Sequence, residues 1–88
     1  MNRKSGETYD HILRRLHPHL NRLAGDRLEV TEDVELVSQL GLDSMKVLDL
    51  LMEIEDEFDL SIPMNVLADV RTVRDLARAI ETVAAAKS

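Results

Sequence analysis

The stretch that decides the fold is Gly41-Leu42-Asp43-Ser44-Met45, running on into Val47-Leu48-Asp49-Leu50-Leu51-Met52-Glu53-Ile54-Glu55-Asp56-Glu57-Phe58. A glycine turn and a capping candidate, Asp43, precede a run of helical spacing, so one serine stands at the mouth of a helix predicted over Ser44 to Phe58. A helix start has unpaired N–H groups and a partial positive charge. It suits a covalently attached anionic group such as a phosphodiester. It suits catalysis poorly, because no general base neighbours the serine in the chain.

The helix carries two apolar stripes. Advancing about 100° per residue from Ser44 puts Val47, Leu50, Leu51, Ile54 and Phe58 in an arc of about 240–340°, the expected core face. Met45, Leu48 and Met52 fall in a second arc of about 40–100°, bordered by Glu55 on one side and by Asp49 and Asp56 on the other. A surface helix needs one stripe. The second is read as an exposed docking strip with an acidic rim, since apolar patches of this kind mark interaction sites and Met and Leu repack against different partners. Asp43 and Ser44 project away from the core stripe, which leaves the hydroxyl reachable.

Charge is concentrated in the same place. The formal net charge is −6, and Asp43 to Asp59 holds seven acids against one base, Lys46, so this segment holds all of it. A local acidic face argues against nucleic-acid binding and for basic protein partners steered toward one helix. With no cysteine, the chain encodes no disulfide and no thiol of its own. Aromatics are 2% against 44% hydrophobic residues, so the core is built of aliphatic side chains and Met, which pack pliably. No apolar run is long enough to span a membrane, and the basic start, Met1 to Lys4, lacks the apolar segment of a secretory signal. The expectation is a cytoplasmic monomer.

Around the deciding stretch the expected elements are few. Residues 1–6 read as a tail and residues 7–86 as one domain. A first helix is predicted from about Glu7 to Ala24 on Ile12, Leu13, Leu16, Leu20 and Leu23, with a kink or short break near His17 because Pro18 lies inside, and with Gly25 and Asp26 as its stop. The connection from Asp26 to Leu42 is expected to dock through Val30, Leu36, Val37 and Leu40, with a short helical turn near Val34 to Gln39. A short helix over Met64 to Asp69 follows Leu60-Ser61-Ile62-Pro63. Thr72 caps a last helix that runs to about Ala85 on Val73, Leu76, Ala77, Ile80 and Val83, with Asp75 closing a capping box. The fold class is all-α, a small four-helix bundle of three long helices and one short helix.

Leu40-Gly41-Leu42-Asp43-Ser44-Met45, taken with Asp49-Leu50-Leu51, Glu55-Asp56-Glu57-Phe58 and Ile62-Pro63, resembles the acyl carrier protein family from roughly Val30 through the last helix. Those proteins carry a 4'-phosphopantetheine arm on the serine of a Gly-x-Asp-Ser-Leu motif. The resemblance implies that a phosphopantetheinyl transferase modifies Ser44 from coenzyme A, and that the arm's thiol holds acyl groups as thioesters. It also implies a bundle of the family type, in which members can shelter an acyl chain between helices. Met45 stands where Leu is more usual, a volume-conserving swap. Lys46 stands where many members carry an acid, which points to a specialised lipid or polyketide pathway and away from general fatty-acid synthesis.

The expectation is therefore a free-standing carrier and not an enzyme. Ser44 is the attachment residue. Asp43, Met45, Leu48, Asp49, Met52, Glu55 and Asp56 form the docking face for the transferase and for acyl-loading and acyl-processing enzymes with basic surfaces. A carrier of aminoacyl or peptidyl groups is the alternative on the same fold, disfavoured by Asp before the serine. An unmodified acidic helical adaptor is the alternative of another class. No metal site is expected. His11, His17 and His19 do not converge and read as surface residues, and the acids of the second helix lack a ligand loop. Arg71, Arg74 and Arg78 read as solvated, with Arg74 and Arg78 able to pair with Asp75, Asp69 or the acidic helix.

Overall fold

The structure, a computed structural model, describes residues 8–25 and 28–87. The expected tail, Glu7 and Asp26 lie outside the described residues. Four helices follow in order: α1 (Tyr9–Ala24), α2 (Ser44–Phe58), α3 (Met64–Leu67) and α4 (Val73–Lys87). Among the described residues the one extended pairing is an isolated bridge between Glu35 and Thr72.

α1 starts at Thr8, whose hydroxyl accepts from the His11 N–H at 3.3 Å. Ile12, Leu16, Leu20 and Ala24 recur every four residues and are buried, while Leu13 and Leu23 are half-buried at the edge of the stripe. The helix runs through Pro18 without the expected break. Proline removes one donor, but buried leucines on both sides hold the two halves on one core, and Pro18 itself faces solvent. Gly25 ends the helix at φ 62°, its N–H donating to the Asn21 carbonyl. A positive φ of this kind favours glycine.

α2 spans the residues predicted for it. Asp43 caps it by accepting from the Lys46 N–H at 2.9 Å. Leu50, Leu51, Ile54 and Phe58 are buried, and Val47 is half-buried beside them. Asp59 terminates the helix in the left-handed region at φ 55°, which Asp tolerates better than most side chains. α3 is shorter than predicted. After Leu67 the Asp69 and Val70 N–H groups turn back to Val66 and Leu67 in tighter three-residue steps.

α4 opens on the expected capping box. Thr72 Oγ1 accepts from the Asp75 N–H at 3.1 Å, and the Asp75 carboxylate accepts from the N–H groups of Thr72 and Arg71. Those bonds, the Arg71 N–H foremost, hold the Asp75 carboxyl below its usual range. Val73, Leu76, Ala77 and Ile80 are buried and Val83 half-buried; Ala79 is also buried, and the helix extends to Lys87. α4 packs against α1 and α3.

The connection between α1 and α2 is stitched to the start of α4. The Leu36 N–H donates to the Arg71 carbonyl, Val73 to Val34 and Arg74 to Glu32, at 2.9–3.0 Å. Val30, Leu36 and Leu40 are buried anchors as expected, joined by Val34 and Leu42. The short helical turn expected at Val34 to Gln39 is found as turns over residues 36–40, in which the Gln39 N–H donates to the Glu35 carbonyl and the Gly41 N–H to the Val37 carbonyl, each four residues back, while the Leu36 N–H, unpaired within the turn, goes to Arg71. Val37 is no anchor: it is 68% exposed. Leu36 and Leu40, four apart, both turn inward, and Val37 between them turns out.

Among the described residues no polar or charged side chain is buried, so apolar packing carries the interior. Replacing fully buried Ile54 by Ala is expected to cost about 2–5 kcal/mol in urea unfolding. Met52→Ala, on the opposite face, is expected to stay within about 0.5 kcal/mol. Equal losses would contradict the division of α2 into two faces.

Candidate functional site

The chain approaches Ser44 through Gly41, whose φ of 69° supplies the turn. A Cβ added there would meet nothing within 4 Å, so the positive φ and not crowding is what favours glycine at this turn. Ser44 is the first residue of α2, next to the capping Asp43. An anion joined to this residue sits at the positive end of the helix. The local structure thus fits an attached phosphodiester.

Beyond the serine, Met45, Leu48 and Met52 are 70%, 44% and 67% exposed, so the second apolar stripe is a surface strip and not a second core face. The acids around it divide by what they already hold. The Asp43 carboxylate caps α2, and the Glu55 carboxylate accepts from the Ile62 N–H at 3.0 Å, tying the loop after α2 to the helix. Asp49 and Asp56 are exposed, and their carboxylates make no hydrogen bond or ion pair among the described residues. They are the acids available to a partner. An open groove of about 1030 Å³ continues the strip past Met52, between Asp56 and Asp59 of the α2 end and Val83 of α4.

The other flank of α2 is neutralised from within, which the sequence reading missed. Arg15, His19 and Arg22 line one face of α1 and meet Glu53 and Glu57. Arg15 Nε donates to Glu57 Oε2 at 3.0 Å, and its terminal nitrogen to the Glu57 carbonyl at 2.8 Å. His19 lies between the two carboxylates, Nδ1 at 2.8 Å from Glu53, and Arg22 donates to Glu53 at 2.7 Å. The Arg15 guanidinium also stacks over Phe58 at 4.2 Å. His19 is thus half-buried between helices and not a free surface histidine. The four-residue spacings of Arg15 to His19 and of Glu53 to Glu57 were the available signal. Arg22 donating to Glu53, and His19 donating to Glu57, draw both carboxyls below their usual range.

A second set of contacts corrects the arginine reading. Arg74 pairs with Asp33 at 2.8 Å and with Glu32 at 3.7 Å, on the α1–α2 connection and not on α2. Arg78 lies over the Tyr9 ring at 4.2 Å and pairs with Glu81. The Tyr9 hydroxyl donates to Glu32, and burial pushes its pKa up. These contacts pin the connection, α1 and α4 together, far in the chain from Ser44.

The core offers little room as it stands. The gap among Leu36, Val47, Leu51, Ile54, Leu67 and Leu76 measures about 10 Å³, at the limit for one water. At that volume the gap does not hold an acyl chain. Among the described residues no three His, Cys, Asp or Glu side chains form a metal-binding group, and no helix is long and apolar enough to cross a membrane.

Comparison with known proteins converges on one family. Residues 14–80 match the family described as "Phosphopantetheine attachment site". The chain is 35% identical over 71 residues to a Caulobacter vibrioides (strain NA1000 / CB15N) protein named "Probable acyl carrier protein", covering 81% of this chain and 83% of that protein. It superimposes on a solved structure from Mycobacterium tuberculosis, itself assigned to the acyl carrier proteins, with a TM-score of 0.72 and 28% identity over 81% of this chain and 96% of that one.

The α1–α2 ion pairs have a pH signature. A carboxyl whose pKa is lower in the folded state stabilises above its unfolded value, about 4.3 for Glu, and loses that contribution as pH falls through the lower folded value. The wild type is expected to lose urea stability below about pH 4.5. The Glu53→Gln/Glu57→Gln variant is expected to be less stable at neutral pH and to lose less on acidification. Parallel pH profiles for the two proteins would contradict the assignment.

Proposed function

The chain belongs to the acyl carrier protein family, whose members are carriers and not catalysts, and on that premise we propose that Ser44 is the attachment point of its 4'-phosphopantetheine arm. The observation that carries the proposal is the place of Ser44 as first residue of α2, behind the open Gly41 turn and beside the Asp43 cap.

The chemistry asked of this chain is modest. The Ser44 oxygen bonds to the pantetheine-bearing phosphorus of coenzyme A. The bond from that phosphorus to the adenosine half breaks, and adenosine 3',5'-bisphosphate leaves. The serine proton passes to a base of the transferase, since the adjoining Asp43 carboxylate is engaged in capping α2 through the Lys46 N–H. The N-terminus of α2 then faces the phosphodiester charge. When present, the arm supplies a thiol that holds acyl groups as thioesters, a group this cysteine-free chain lacks.

Partners dock on α2. Met45, Leu48 and Met52 supply apolar contact, and Asp49 and Asp56 the charge that meets a basic enzyme surface. Asp43 and Glu55 add to the field while their oxygens hold the fold. Rim charges of this kind steer association and are screened by salt, which suits a shuttle that must leave each partner. Lys46 interrupts the acidic face beside the attachment point and supports a dedicated lipid or polyketide pathway. Asp43 before the serine supports acyl over aminoacyl cargo.

Intact mass spectrometry after incubation with coenzyme A and a broad-specificity transferase tests the assignment. The wild type is expected to gain one phosphopantetheinyl group and Ser44→Ala none. Equal modification of both proteins, or of neither, would overturn it. With the transferase, Leu48→Glu is expected to weaken binding about tenfold or more while folding stays intact, the loss typical of a central apolar contact. Unchanged affinity would remove Leu48 from the docking strip.

A further inference from the structure

Five large apolar side chains are exposed among the described residues: Val37, Met45, Leu48, Met52 and Met64. Four lie on α2 or α3. Val37 alone stands on the other side of Ser44 in the chain, at the tip of a turn, where a polar residue is the usual choice. The turn is not loose. Leu36 and Leu40 are buried on either side of it. Leu36 donates its N–H to Arg71, and the Gln39 side chain accepts from the Glu35 N–H at 2.8 Å. The Ser38 hydroxyl donates to the Glu35 carboxylate. A branched apolar side chain is thus held in solvent by a turn fixed at both ends.

The same turn is folded toward the helix mouth. The Gly41 N–H donates to the Val37 carbonyl at 3.0 Å, and Leu42 donates to Leu36 at 3.2 Å. Two residues, Leu42 and Asp43, separate Gly41 from Ser44, at most about 11 Å of chain. A specific interface covers about 800 Å² on each partner, a patch about 30 Å across. An interface of that width centred on Ser44 extends past Gly41, to which the Val37 carbonyl is hydrogen-bonded. The Glu35 carboxylate beside Val37 extends the acidic rim that a basic partner meets.

We propose that Val37 is an apolar anchor for the phosphopantetheinyl transferase, set on the chain segment that precedes Ser44 as the Met45–Leu48–Met52 strip is set on the segment that follows it, and that it fixes how the serine is presented. The transferase is the occupant because it alone must bring its reacting groups to the serine itself. Enzymes that act on the thiol end work an arm's length away and can dock on the strip alone. The inference rests on Ser44 as the attachment point.

The test compares wild type, Val37→Ser, Val37→Ile and a control on the exposed end of α4, Ala85→Ser. Steady-state transfer from coenzyme A and calorimetric binding to the transferase without coenzyme A are both measured. Val37→Ser is expected to raise KM and Kd about fivefold or more, the effect of losing an interface anchor, with kcat and urea stability unchanged. Val37→Ile and Ala85→Ser are expected to match wild type. Wild-type KM and Kd for Val37→Ser, with wild type normally modified, overturn this inference alone. A wild type that is not modified overturns the attachment assignment, and this inference with it.

Discussion

One helix must bury one face and leave the other uncovered, and the rest of the structure follows from that constraint. Leu50, Leu51, Ile54 and Phe58 go inward against the stripes of α1 and α4, each such side chain contributing about 1.5–3 kcal/mol on burial. The interior holds no polar group among the described residues, so its packing is set by shape and area and not by bonding direction. The gap among Leu36, Val47 and Leu76 is only about 10 Å³, and ion pairs at the rim add orientation to an interior that apolar packing holds together.

Those rim contacts explain why the acidity of α2 is not uniform in use. Glu53 and Glu57 are spent on Arg15, His19 and Arg22, which lock α1 to the back of α2. Asp43 and Glu55 are spent on the backbone at either end of the helix. What remains unpaired among the described residues is Asp49 and Asp56, flanking the exposed Met-Leu-Met strip. The formal charge of the segment thus overstates the charge left unengaged, and the fold concentrates the remainder beside the strip.

Periodicity made most of this legible in the sequence. The limits of α2, its Asp43 cap, both of its stripes and the Thr72–Asp75 box could be read because each is local: a 3.6-residue repeat or a three-residue hydrogen bond. The contacts that escaped join distant segments. Nothing local says that His19 meets Glu53 and Glu57, or that Arg74 turns to Asp33 and not to α2. Val37 was misread because an apolar residue in a connection resembles an anchor until the neighbours on either side of it are seen to take the inward positions. Pro18 was given a kink or a short break because local rules count the missing donor; the helix is unbroken there, with buried leucines holding both halves of α1. Of the candidate site, the helix start at Ser44 and its Asp43 cap were readable from the motif, while the division of the acids into engaged and free needed coordinates.

The account stands most directly on α2 presenting one face to the core and the other to partners. Methyl resonances followed by NMR while unlabelled transferase is titrated into the labelled protein measure this. Shifts and broadening concentrated at Met45, Leu48 and Met52, with the methyls of Leu51, Ile54 and Leu76 unmoved, are the predicted result. Perturbation centred on the core methyls or on α1, with the strip silent, would contradict it.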